Sequence, residues 1–336
     1  MGIPKNFDPL SIPIMSFPAL SPALIRLQPL YMDRVWGGRT LESEYGRYLP
    51  DPAIPYGESW EVVDRSGEQS VVLEGPFKGL TLNELWLQHR GAVFGSSAPH
   101  TERFPLLIKI LDARDTLSLQ VHPPLSEADA LHGEPKTEMW VIADAGPEAS
   151  LYAGVVPGTT RESFAAALAD GTAATLVPKL PAKAGDFIFI PSGRLHAIGA
   201  GLLIFEIQQN SDTTYRVFDW NRVGLDGKPR TLHVPESLRC IDFSDTSPAL
   251  GQATPDGLLA TCDYFTVHRR EAPAAAHAPV GAPGQFLMLG ILSGQLTLAG
   301  STLNPGDWAL VPASLEAPAR QATAGPGGAI WLEAGF

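Results

Sequence analysis

Gln120 and His122 stand two residues apart in the alternating run Leu117 to His122 (LSLQVH). Side chains alternate along a strand, so both point to one face. Sixteen residues on, Glu138 opens another apolar run, and His196 closes the turn Pro191-Ser-Gly-Arg-Leu-His196. Two imidazoles, a carboxylate and an amide oxygen make an N/O donor set suited to zinc or another divalent first-row ion, with positions left for water and substrate. A lone histidine in a β protein is more often a hydrogen-bonded structural residue. The spacing of Gly185, Pro191, Gly193 and His196 raises the expectation of a metal centre. Lys136 lies two before Glu138 and shares its side of an extended segment.

These residues need strands to hold them, and the sequence supplies short ones. Apolar or alternating runs occur at Phe104 to Leu111, Leu117 to His122, Glu138 to Ala143, Asp186 to Ile190 and Leu202 to Gln208, most of them bounded by Gly, Pro, Asp or Ser. Helical patterns are fewer: Thr81 to His89 capped by Thr81, Thr160 to Asp170 ended by Gly171, and Ser126 to Leu131. The segment Gly185-Asp-Phe-Ile-Phe-Ile-Pro191 recurs as Gly306-Asp-Trp-Ala-Leu-Val-Pro312. A Gly-Asp turn followed by a short apolar strand and a proline fits a jelly-roll barrel. With Gly193 and His196, the first copy matches the second motif of the cupin barrels, G-x5-P-x-G-x2-H.

The expected fold is therefore mainly β: two double-stranded β-helix (cupin, jelly-roll) barrels in tandem, with a few decorating helices. The turn-rich stretch Ser244 to Gly257 marks a boundary. The expected divisions are a loosely ordered N-terminal extension (1–25), a metal-binding catalytic domain (26–245) and a smaller C-terminal domain (246–336). Five residues after Pro191 stands His196, whereas five after Pro312 stands Ala317. The second barrel is expected to lack metal ligands.

Composition narrows the partners. Lys and Arg number 24 against 36 Asp and Glu in 336 residues, a net charge of −12 that argues against a nucleic acid or an anionic membrane surface. An anionic substrate would need a local basic pocket. The 33 Gly and 31 Pro, alongside 44% hydrophobic residues, indicate many turns between short strands. Cys240 and Cys262 make neither a disulfide framework nor a Cys-rich zinc site. The first 24 residues carry Lys5 as their one basic residue and are broken by five prolines, and no run reaches the length of a membrane span. A soluble, cytoplasmic protein is expected.

Several ordered segments resemble the type I phosphomannose isomerases, in particular their shorter bacterial branch. They are Tyr31-Met-Asp-Arg-Val-Trp-Gly-Gly38, Gly57-Glu-Ser-Trp-Glu61, Leu106-Leu-Ile-Lys-Ile-Leu-Asp-Ala113, Leu119-Gln-Val-His-Pro123, Lys136-Thr-Glu-Met-Trp140, Pro191 to His196, and Thr213-Thr-Tyr-Arg-Val-Phe-Asp-Trp-Asn-Arg222. The resemblance implies interconversion of mannose 6-phosphate and fructose 6-phosphate with one zinc per chain. The family's metal ligands carry over to His122, Glu138 and His196, with Gln120 at a fourth position; its catalytic arginine falls on Arg216 and its active-site lysine on Lys136.

Moving hydrogen between C1 and C2 passes through a cis-enediol(ate), so the site must take a proton beside a carbonyl and stabilise an oxyanion. The base is not assigned by the sequence, although Lys136 could join proton transfer if its pKa were lowered. Lys109, Arg194 and Arg222 are candidates for the phosphate. Glu58 and Glu61 read as parts of a half-buried strand, and Asp219 as the residue that orients Arg216 or Arg222. The expected partner is a small sugar phosphate, with the protein a monomer or a small homo-oligomer. Two other readings are a non-enzymatic sugar-phosphate-binding regulatory cupin and a metal-dependent cupin dioxygenase.

Overall fold

The computed structural model describes residues 23–336; most of the expected N-terminal extension lies outside the described residues. Of its last residues, Leu24 and Ile25 are buried, and Ile25 exchanges two backbone hydrogen bonds with Leu310, at 2.9 Å each.

Two antiparallel sheets carry the candidate site. In the six-stranded sheet the order is Leu30–Gly38, Tyr56–Val62, Leu106–Ala113, Leu202–Gln209, Glu138–Ala145 and Phe187–Ile190. The five-stranded sheet runs Tyr215–Phe218, Leu119–Val121, His196–Ile198, Ser150–Ala153 and Lys179–Pro181. This is the mainly β, cupin-type architecture that the sequence predicts. The expected helices form as well. Leu82–Gln88 starts with a capping box between Thr81 and Glu84, and Arg161–Ala169 with one between Thr160 and Ser163, so each first turn has its free N–H groups satisfied.

The inner strands of the six-stranded sheet read as unbroken apolar runs because both of their faces are buried. Leu106, Ile108, Ile110, Phe205 and Ile207 pack outward with Met288, Leu310 and Leu332 of the C-terminal strands. Leu111, Trp140, Ile142, Leu202 and Ile204 pack on the other face with Leu151, Ile190 and Ile198. Lys109 and Glu206 interrupt this pattern. Each is a lone charge on an inner face, and each is less than 5% exposed.

The C-terminal strands form a seven-stranded sheet around two long strands, Leu287–Leu298 and Gln321–Gly335, with a core of their own that includes Leu289, Leu296, Val311 and Trp331. Gln321–Gly335 (QATAGPGGAIWLEAG) has no strand signal in its sequence. It is extended because it is paired on both sides, with 325–328 bending where the register skips between Ala324 and Ala329. The sequence repeat is also a geometric one. Gly185 and Gly306 have φ of 89° and 84°, a region open mainly to glycine. Asp186 accepts from Lys183 N at 3.0 Å, and Asp307 from Asn304 N at 2.8 Å.

The Trp36-Gly37-Gly38 segment serves close approach between strands. Leu30–Gly38 leaves its ladder between Asp33 and Gly38, both of which face Tyr56, and the intervening residues bulge toward the interior of the barrel. A Cβ on Gly57 would lie 2.6 Å from both Arg34 Cβ and the Trp36 ring. Gly57→Ala is therefore expected to cost about 1–3 kcal/mol from overpacking. Thermal denaturation should show a melting temperature lowered by several degrees, and an unchanged one would mean that the bulge yields freely.

Candidate active site

The ligand-like residues meet through cross-strand register. In the five-stranded sheet Gln120 pairs with His196 on one side and with Arg216 on the other. Directly opposed residues share a face, so Arg216, Gln120 and His196 form one row, with adjacent strands about 4.8 Å apart. His122 follows the end of the Leu119–Val121 strand, on the same face as Gln120. In the six-stranded sheet a second row runs Trp60, Lys109, Glu206, Trp140, with Glu138 two residues before Trp140. The two rows face each other across the interior of the barrel.

At its floor Glu138 Oε1 lies 3.5 Å from His122 Nε2 and 3.6 Å from His196 Nε2. The three side chains are at most 1% exposed, and among the described residues they are the one group of three His, Cys, Asp or Glu with metal-ligand spacing. Each imidazole donates its Nδ1–H to a backbone carbonyl at 2.9 Å, His122 to Thr213 and His196 to Arg194. That fixes both rings with a bare Nε2 turned inward.

Among the described residues His122 Nε2 and Glu138 Oε1 are buried without a hydrogen-bond partner, which is unusual for polar atoms at this depth. Ligands about 2.0–2.2 Å from a tetrahedral zinc stand roughly 3.4 Å apart, so the spacing and the orphaned atoms both fit a divalent ion. Gln120 Nε2 is 3.3 Å from His196 Nε2, and a half-turn of the amide would bring Oε1 there instead.

Electrostatics prepares the ligands. Burial pushes His196 down to about 3, helped by His122, and lowers His122 with help from Lys136; both imidazoles are neutral, as a metal ligand requires. Burial opposes the charge on Glu138, but the Lys136 ammonium outweighs it and holds the carboxyl well below its usual range. Lys136 Nζ sits 3.0 Å from Glu138 Oε2 and 3.8 Å from Glu206 Oε1. Burial works against that ammonium, yet Glu138 and Glu206 raise it above the ordinary lysine range. Two carboxylates thus favour the ammonium form of Lys136, against the lowered pKa that a part in proton transfer would need.

Beside the ligand cluster opens a cavity of about 590 Å³, bordered by Gln120 and Lys136, which touch His196 and Glu138, and by Lys109, Glu206, Arg216, Trp140 and Arg34 among others; His122, Glu138 and His196 lie behind its wall. Its carboxylates differ in character. Glu58 accepts from Arg34 Nε at 2.7 Å and Trp60 Nε1 at 2.6 Å; burial is outweighed by Lys109 and Arg34, and its pKa falls to about 2. Among the buried glutamates Glu58, Glu138 and Glu206, Glu206 is the one left short of cations. It shares Lys109 (3.3 Å) with Glu58 and Lys136 with Glu138, and burial together with the charge on Glu138 raises its pKa. Its Oε1 has no hydrogen-bond partner, while Oε2 accepts from Trp140 Nε1 at 3.1 Å.

The remaining expected residues separate. Arg216 borders the cavity and, among the described residues, is its one lysine or arginine without an ion pair; Nη1 donates to Thr231 O at 3.0 Å and Nε is unpartnered. Arg194 is not brought to the cavity. It binds Asp245 with two hydrogen bonds, at 2.6 and 2.9 Å, and donates to Phe189 O at 2.7 Å, bracing the turn that presents His196. Arg222 lies off the cavity wall with its Nε on Asp219. Lys109 does reach the cavity, but its charge is taken up by Glu58 and Glu206.

Arg34, Glu206 and Arg230 were not anticipated. Glu206 had a readable signal, a single acid inside LLIFEIQ; Arg34 had none, because a bulge aims it.

The profile of the phosphomannose isomerase type I catalytic domain matches residues 24–139. A mannose-6-phosphate isomerase of Streptococcus mutans is 35% identical over 304 residues, covering 86% of this chain and 94% of that one. The chain belongs to the type I phosphomannose isomerase family. A second family member, the mannose-6-phosphate isomerase ManA of Bacillus subtilis, is 37% identical over 301 residues, covering 86% of this chain and 92% of its own. The crystal structure of the Bacillus subtilis mannose 6-phosphate isomerase superposes with a TM-score of 0.80 at 30% identity, over 93% of this chain and 99% of that one. A zinc-bound phosphomannose isomerase structure shares the fold at a TM-score of 0.72 and 16% identity, over 93% of this chain and 100% of its own.

Proposed function

We propose that this chain interconverts mannose 6-phosphate and fructose 6-phosphate through a cis-enediol(ate), with one zinc held by His122, Glu138 and His196 and Gln120 beside them. The observation that carries the reading is the junction of a buried cluster, with orphaned His122 Nε2 and Glu138 Oε1, and a cavity into which Arg216 brings an unpaired cation. Zinc bound there supplies Lewis-acid polarisation of the sugar oxygens.

The chain's own residues divide the remaining work. Glu206 holds the migrating proton on Oε1, taking it from one of C1 and C2 and returning it to the other. A buried carboxyl with a raised pKa, at the cavity wall and free of a hydrogen bond on that oxygen, is suited to both halves of the transfer. Arg216 offers guanidinium donors to the developing oxyanion from its place across from Gln120. Lys136 keeps Glu138 ionised and turns an ammonium toward the cavity. Trp140 and Trp36 border the same space and limit water. The substrate class, together with two free thiols, supports a cytoplasmic setting.

The test couples metal analysis of the purified protein to an assay of mannose 6-phosphate conversion with and without a chelator. Zinc near one equivalent per chain and activity lost with the metal are expected; full activity after complete metal removal would overturn the reading. Glu206→Gln should lower kcat about 10²-fold or more with zinc retained. A variant with near-normal kcat would remove Glu206 from proton transfer.

A further inference from the structure

Residues 219–233 form one edge of the cavity. Trp220 and Asn221 have φ of 54° and 55°, turning the chain out of the Tyr215–Phe218 strand, and Trp220 Nε1 anchors the turn on Leu117 O at 2.7 Å. A small hairpin follows, closed by Gly224 N donating to Lys228 O at 2.7 Å and by the Val223–Pro229 bridge. It brings Arg230 to the cavity wall.

Arg230 is held there by one edge of its guanidinium. Nε and Nη2 donate to the two oxygens of Asp219, at 2.7 and 2.5 Å, and Asp219 is itself only 6% exposed. Five N–H donors make up this fork, and among the described residues the Nη1 end has no hydrogen-bond partner. The next residue, Thr231, accepts from Arg216 Nη1, so the two guanidiniums are tied through one stretch of backbone. Arg216, Arg222 and Arg230 thus gather around the single carboxylate of Asp219. Asp33, Asp212 and Asp226 also border the cavity, but none makes an ion pair with these arginines.

We propose that Arg230, oriented by Asp219, binds the phosphate of the substrate and makes the site selective for phosphorylated over neutral aldoses. The row His196, Gln120, Arg216 runs from the ligand cluster to the edge strand Tyr215–Phe218, and Arg216 is tied there to Thr231, the residue next to Arg230. A sugar with its C1 and C2 end over Gln120 therefore extends its C6 end toward the hairpin. A planar fork with one edge fixed and the other free suits a dianionic phosphate, and recognition rests on this fork and not on net charge, since five Lys or Arg and five Asp or Glu border the cavity.

The inference rests on the isomerase reading for its substrate, and calorimetric titration of the zinc-loaded protein with inorganic phosphate tests it independently of turnover. Wild type should bind phosphate, Arg230→Ala should weaken that binding at least about 10-fold, and Arg230→Lys should restore part of it. In the isomerase assay Arg230→Ala should raise KM for mannose 6-phosphate by a larger factor than it lowers kcat. Lys228→Ala removes the same charge from the exposed side of the hairpin and should leave phosphate affinity unchanged.

Absence of phosphate binding in wild type, unaltered binding in Arg230→Ala, or an equal loss in Lys228→Ala would each overturn the assignment. If phosphate binds as described but mannose 6-phosphate is not converted, the isomerase reading fails while the anion site stands.

Discussion

Glu138→Gln is expected to yield a folded protein that purifies with little zinc and loses isomerase activity by roughly 10³-fold or more, a change of about 4 kcal/mol in the barrier. Glu138 is the one carboxylate between His122 Nε2 and His196 Nε2, and its replacement removes the single negative charge that these two neutral imidazoles offer a divalent ion. The amide is nearly isosteric, so the fold should persist; the neighbouring Lys136 then loses its partner at 3.0 Å and keeps only Glu206, at 3.8 Å. Metal content, circular dichroism and kcat measured on one preparation separate the outcomes. Full zinc occupancy in Glu138→Gln would show that Glu138 is not a ligand.

Arg216→Ala should give the complementary result, a fall in kcat of about 10²–10³-fold with zinc retained. Among the described residues the side chain makes one hydrogen bond, to Thr231 O, and no ion pair, so its removal leaves no buried carboxylate without its ion-pair partner. Its contribution is directed to the cavity, where charge develops during the transfer of hydrogen. Arg216→Lys should recover only part of the rate, since an ammonium carries the charge without the planar fork. A proportional loss of zinc in Arg216→Ala would instead make the residue part of the support for the ligand cluster, through the Gln120 row.

Much of this site is legible along the chain because strand periodicity is a local property. Gln120 and His122 two apart, Lys136 and Glu138 two apart, and His196 after a Gly-Asp strand each specify a face before any partner is known. The sign and strength of the charges are not legible in that way. Lys136 looks open to a lowered pKa until Glu206 arrives from the Leu202–Gln209 strand and, with Glu138, fixes it as an ammonium. Arg194 sits beside His196 in sequence and still points away from the substrate, because Asp245 pulls it to the back of the turn. Arg34 reaches the cavity through a bulge whose existence depends on Gly37 and Gly57 meeting across two strands.

By itself the sequence determined the class of fold, the identities of the four ligand-like residues and the repeated Gly-Asp turns, since short-range alternation and glycine's access to positive φ require nothing distant. Tertiary structure alone decided which charges compete. With Glu58, Glu138 and Glu206 sharing Lys109 and Lys136, the carboxyl left with the raised pKa is set by cross-strand distances of 3.3 to 3.8 Å beside the 3.0 Å contact of Lys136 with Glu138. It also decided that Arg230 rather than Arg194 or Arg222 borders the cavity: Asp245 draws Arg194 to the back of its turn, while Arg222 and Arg230 share Asp219 and the return of the hairpin brings Arg230 to the wall.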